Sequence, residues 1–240
     1  MLNSILTVTS LLLATATALP SGIHPRAPAS GRLIPRACAT KALKVDGVDT
    51  NGKGVQIHNA DTETRSFFMY DNNCDAVPSK YVTVSAGGMG FIPFSAGFQG
   101  RVVRGTEELN LDGKSHRLGT WVEMSLDGQG WGWGDVSLIR GCDGPATLEA
   151  LDDSRLVRGF TDTSVLFGAP ENVLFPKDSG VKVINATELE ANGPITIPAV
   201  VDYLSSKLDV SMLYIDDYHG NPDIASTTGR FSATFYAGRP

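Results

Sequence analysis

Cysteine is scarce in this chain of 240 residues: Cys38, Cys74 and Cys142 are all there are, with no C-x-x-C pair. That excludes a thiolate zinc site, which needs clustered ligands. It allows one disulfide and one leftover thiol, pairing either Cys38 with Cys74 or Cys74 with Cys142. After residue 18 no apolar run is long enough to span a bilayer. A basic excess is missing too: 26 acidic residues stand against 20 basic ones, a net charge of −6. An acidic chain is a poor partner for nucleic acid or an anionic membrane surface. Long amphipathic stretches are few, and no cofactor or metal is implied. What the chain has instead is 26 Gly and 13 Pro, the composition of many short strands and turns.

The first residues read as a targeting signal. Ile5 to Ala18 is an apolar run too short for a membrane span, and Ala16-Thr17-Ala18 is a small-x-small cleavage site. Residues 1–18 are therefore expected to be a signal peptide. Residues 19–36 are rich in Pro, Ser and Gly and end in Pro35-Arg36-Ala37. They read as a propeptide or disordered arm, cut after Arg36. Residues 37–240 then form a single domain with 17 basic and 26 acidic residues, net −9. A secreted, extracellular or wall-bound protein is the expectation. Asn185-Ala186-Thr187 is an N-glycosylation sequon and predicts an exposed loop there.

Alternation predicts strands at Val55–His58, Ser66–Tyr70, Tyr81–Ser85, Phe91–Phe94, Gly100–Val103, Trp121–Leu126, Asp135–Arg140, Ala146–Leu151, Leu156–Phe160, Met212–Ile215 and Arg230–Tyr236. Short strands broken by Gly, Asn and Asp turns point to a β-sandwich or barrel. One short helix is predicted from Pro198 to Leu208, with Val200, Val201, Leu204 and Leu208 on one face. The segment from Thr161 to Gly193 reads as loop.

The stretch most charged with chemistry is T-W-V-E-M-S-L-D-G-Q-G-W-G-W-G-D-V-S-L-I-R-G, from Thr120 to Gly141. Successive strand side chains face opposite ways. If Val122, Met124, Val136 and Leu138 point to the core, Glu123 and Asp135 both point away from it on the same side. Asp127 to Gly134, with four glycines, Trp131 and Trp133, reads as a mobile loop. Two carboxylates on one face can serve glycoside hydrolysis as proton donor and base or nucleophile. The two indoles can stack on sugar rings. Glu123 is expected to be the donor, because Val122 and Met124 flank it and a dry setting raises a carboxyl pKa. Asp135 is then base or nucleophile.

The same stretch resembles thaumatin-like proteins. Their pattern is an Arg, an aliphatic-x-E-F-x-L strand, a loop, and a Y-D-V-S-L strand followed by Gly. Here Arg117, V-E-M-S-L at Val122–Leu126 and G-D-V-S-L-I-R-G at Gly134–Gly141 are similar to it. G-V-Q-I-H-N at Gly54–Asn59, F-Q-G-R-V-V-R-G at Phe98–Gly105 and the final L-Y-I-D-D…R-F-S-A-T-F-Y extend the likeness. The resemblance implies a mainly β, thaumatin-like sandwich with loop-rich extensions, an acidic cleft and a β-1,3-glucan ligand. It is nearest the secreted fungal wall proteins of that family. It places Arg117, Glu123 and Asp135 at cleft positions, with Asp127 near another. It also shows departures: Arg140 stands where the family has an acid, and the family's dense disulfides are absent.

Other clusters carry blander readings. Asp216-Asp217-Tyr218-His219 with Asp223 offers hard metal ligands but also good turn chemistry. Arg101 and Arg104 lie on opposite strand faces and read as cleft-side or surface pairing. The expected partner is a polysaccharide, β-glucan first. The rival expectation is a non-enzymatic secreted effector or wall-structural protein that binds a host or wall protein.

Overall fold

A computed structural model describes residues 37–190 and 194–240. The expected signal peptide and propeptide lie outside the described residues. The strands in chain order are β1 (Leu43–Lys44), β2 (Gly54–Ala60), β3 (Arg65–Asp71), β4 (Lys80–Val84), β5 (Met89–Pro93), β6 (Gln99–Gly105), β7 (Trp121–Leu126), β8 (Gly132–Ser137), β9 (Ala146–Ala150), β10 (Val157–Gly159), β11 (Leu174–Pro176), β12 (Lys182–Ile184), β13 (Glu188–Glu190), β14 (Pro194–Thr196), β15 (Ile224–Ser226) and β16 (Arg230–Tyr236). The helices are α1 (Glu107–Asn110), α2 (Ser164–Phe167) and α3 (Pro198–Lys207).

A seven-stranded sheet runs β1-β4-β3-β6-β7-β8-β15, and a five-stranded sheet runs β10-β9-β16-β2-β5. Their facing side chains make the core. Phe67, Met69, Val102, Val122, Met124 and Val136 from the first meet Val55, Ile57, Leu148, Phe231, Ala233 and Phe235 from the second. Phe67 and Phe235 are in ring contact at 4.8 Å. Each of these side chains larger than alanine stabilises by about 1.5–3 kcal/mol on burial. The fold is the expected mainly β sandwich. β16 lies parallel to β2 on one side and antiparallel to β9 on the other.

β3 (R-S-F-F-M-Y-D) is apolar on both faces for a reason. Phe67 and Met69 enter the core, while Phe68 and Tyr70 join Tyr81, Val103 and Trp121 in a second cluster on the outer face. α3 matches the predicted helix: Pro198 starts it, and Val200 and Leu204 are buried. Two single-turn helices, α1 and α2, accompany it.

Three expectations differ. The strand expected at Asp135–Arg140 begins earlier, at Gly132, and ends at Ser137. Its glycines are not turn residues. A Cβ on Gly132 would stand 2.5 Å from the Phe231 ring, and one on Gly134 2.7 Å from Leu148. They are inner-face positions with no room for a side chain, so the loop shrinks and Trp133 joins β8. Met212–Ile215 is not a strand; Tyr214 alone bridges to Ser137. The Thr161–Gly193 loop holds α2, β11, β12 and β13, pieces too short to show a period.

Candidate functional site on the outer sheet face

Strand register builds the site. Across β3, β6, β7 and β8, Tyr70 pairs with Arg101, Arg101 with Glu123, and Glu123 with Asp135. Side chains at paired positions share a face. Glu123 and Asp135 are therefore direct neighbours, with Cβ atoms about 4.5–5.5 Å apart by strand geometry. Both are half-buried. Asp223 lies just before β15, whose Ile224 pairs with Gly134. Tyr214 reaches Asp223 Oδ1 at 3.4 Å through its hydroxyl. The expectation that the two acids project from one side of the sheet holds.

The expectation that Glu123 is dry does not. Val122 and Met124 are buried on the opposite face, because alternation turns sequence neighbours away from it. On its own face Glu123 meets Arg101 and Asp135, a polar setting.

Arg101 anchors one end of the row. It is 4% exposed, lies 3.9 Å over the Trp121 ring and 4.9 Å over Tyr70, and donates to Asp75 Oδ1 at 2.6 Å. Burial pulls its pKa down, against the opposing pull of Asp75 and Glu123. Asp75 Oδ2 also lies 3.4 Å from Arg117 Nε. Trp121 Nε1 donates to the Arg117 carbonyl at 3.0 Å. Asp75 thus bridges two arginines around one indole. No sequence pattern marks Asp75; it is held by its neighbour Cys74, which forms the disulfide with Cys38. Cys142 is the buried thiol left over, and burial pushes its pKa up to about 11.

Asp127, expected near the ligand, organises the loop between β7 and β8. Its Oδ1 accepts from the amides of Gln129 and Trp131, each at 2.9 Å, and its Oδ2 from Trp133 Nε1 at 3.3 Å. Burial works to raise its pKa, but those bonds prevail and hold it below the usual range. The loop is tied rather than loose, with Lys53 donating to the Gly130 carbonyl at 2.7 Å. Trp131 and Trp133 each remain 41% exposed, and Trp133 shares the face of Asp135.

The remaining candidates lie elsewhere. Asp216 is buried and accepts from the amides of Tyr218 and His219 and from the His219 ring, which is turn chemistry. Among the described residues no group of three or more His, Cys, Asp or Glu is placed to hold a metal ion. Arg104 is not at the surface but fully buried, because its strand face is the inner one. Arg140 donates to the Glu188 carbonyl at 3.3 Å. At the sequon, the connection between β12 and β13 leaves Asn185 half-buried, while Thr187 is buried and bonds back to Ile139.

Fold and site together define a two-sheet, mainly β domain with a charged, aromatic outer face. No known family model matches the chain, and no curated protein matches it. The solved structures it is similar to include the protein elicitor MoHrip2 from Magnaporthe oryzae, at 12% identity and a TM-score of 0.37, covering 78% of this chain and 100% of that one. A likeness at that level assigns neither fold nor activity.

Proposed function

We propose that the chain is a secreted wall-associated protein that holds a polysaccharide such as β-1,3-glucan across the outer face of the seven-stranded sheet. One observation carries this: Glu123 and Asp135 are register partners on that face, with the exposed Trp133 beside them. Flat indoles suit sugar rings. Direct register favours the closer carboxylate spacing of retaining glycosidases, about 5–5.5 Å, over the wider inverting one. In a cleavage reaction Glu123 and Asp135 would divide the proton-donor and nucleophile roles between them, and Arg117 would orient a sugar hydroxyl. The resemblance to thaumatin-like proteins favours the same ligand class. The Cys38–Cys74 disulfide suits an oxidising compartment.

Sedimentation with insoluble β-1,3-glucan, and with chitin for comparison, tests the reading. The protein is expected to pellet with glucan, and Trp131→Ala with Trp133→Ala to stay in solution. Any glucan cleavage is expected to vanish in Glu123→Gln and in Asp135→Asn while retention persists. Cleavage that survives both changes removes the acid pair from the site. Absence of retention on either polymer, with recovery of a protein partner instead, establishes the rival effector role.

A further inference from the structure

Beyond Trp121, the end of β6, α1 and β11 border a cavity of about 150 Å³, the size at which a protein interior admits one benzene ring. Its apolar walls include Val103, Leu109, Leu118, Trp121 and Phe175. Arg104, Asp143 and Lys177 form a charged side. Asp143 lies between the two cations, 3.5 Å from Arg104 Nε and 3.0 Å from Lys177 Nζ. The three groups together carry one net positive charge. His116 and Asp178 also border the space and are bonded to each other. Arg117, at the rim, faces Asp75.

The cavity is short of acceptors. Arg104 Nε is buried with no hydrogen-bond acceptor. Lys177 has three N–H donors and, among the described residues, meets one acceptor, Asp143. Its side chain is 12% exposed, so water satisfies the rest only in part. Buried donors without acceptors are costly, more so when charged. A carboxylate supplies two acceptor oxygens for Lys177.

We propose that this cavity binds a small organic carboxylate with an apolar body about one ring in size, its carboxylate at Lys177 and its ring between Trp121 and Phe175. Neither Glu123 nor Asp135 lines the cavity, and Arg117 borders both sites; the Lys177 variants leave Arg117 unchanged, so the two readings are tested separately.

Benzoate is the probe and benzyl alcohol its uncharged counterpart. In the full chain carrying Trp131→Phe and Trp133→Phe, Trp121 is the one remaining indole. Benzoate is expected to change its fluorescence saturably and to raise the melting temperature. Benzyl alcohol should bind about tenfold more weakly, the worth of one charge-assisted hydrogen bond. Lys177→Gln should bring the two probes level. Lys177→Arg, which keeps the charge, should preserve the preference and serves if the Gln variant fails to fold. The proposal is overturned by no saturable response to benzoate, by equal binding of the two probes, by a preference that survives Lys177→Gln in folded protein, or by one lost in folded Lys177→Arg.

Discussion

Asp143→Asn removes the single carboxylate that compensates two cations inside the protein. Asp143 is 1% exposed and Arg104 2%. The amide would keep an oxygen for the Thr120 backbone N–H, now bonded at 3.3 Å, but its NH2 would face Lys177, whose 3.0 Å bond to Oδ2 is lost. Charge balance is lost with it. Lys177, at the cavity edge, can recover some hydration, but Arg104 cannot. Its Nη1 and Nη2 go to the carbonyls of Tyr236 and Pro145, which carry no formal charge. Removing one partner of a buried ion pair costs about 3–5 kcal/mol, and the partial relief of Lys177 places this case near the low end, about 3 kcal/mol. Because those carbonyls belong to the end of β16 and the approach to β9, Arg104 clasps one sheet to the other. The loss should therefore appear as reduced global stability rather than local fraying. Equilibrium unfolding in urea, followed by tryptophan fluorescence and by far-ultraviolet circular dichroism, measures it. A loss below about 1 kcal/mol, the range of an exposed pair, would refute the claim that this charge is needed where it is.

Two further outcomes concern pH. The Cys142 thiol is raised to about 11 by burial, while an exposed thiol loses its proton near 9. Stability is fully present below that lower value and falls as pH rises toward the upper one, by up to about 3 kcal/mol in all. Urea unfolding at pH 8 and at pH 10.5 should show Cys142→Ala losing less than the parent; equal losses would refute it. Glu188 is buried, and burial is the first cause of its raised pKa; the charge of Asp217 adds to it, while the Asp217 amide and Arg140 oppose it. Its folded form prefers the proton, so its contribution is present below the ordinary glutamate range and lost as pH rises. Glu188→Gln is expected to stabilise the fold at pH 7 and to have no such effect at pH 3.5, and the difference in urea midpoint at the two pH values checks it.

Alternation made the side of the sheet legible. Val122, Met124 and Val136 leave only one way for β7 and β8 to face, and Glu123 and Asp135 follow. Alternation says nothing of register, and it is register that makes the two acids opposite neighbours. Gly132 and Gly134 misled because glycine marks both a turn and a strand position beneath a large ring, and only Phe231 and Leu148 from distant strands decide between them. Arg104 and Asp75 were illegible for a related reason. A single charge in a strand or after a cysteine has no period, and its burial depends on partners brought by the fold, Asp143 for one and the Trp121 cluster for the other.

The position of β16 governs how this molecule comes into being. Phe231, Ala233 and Phe235 fill the middle of the five-stranded layer, between a strand made early and one made much later. A ribosome-bound chain that has not yet emitted Arg230–Tyr236 therefore lacks the strand between β2 and β9, and the core lacks Phe231 and Phe235. Acquisition of the native state is deferred until synthesis has reached that segment, and contacts so remote along the chain make the closing step slow. Until then the half-made layers present bare strand edges.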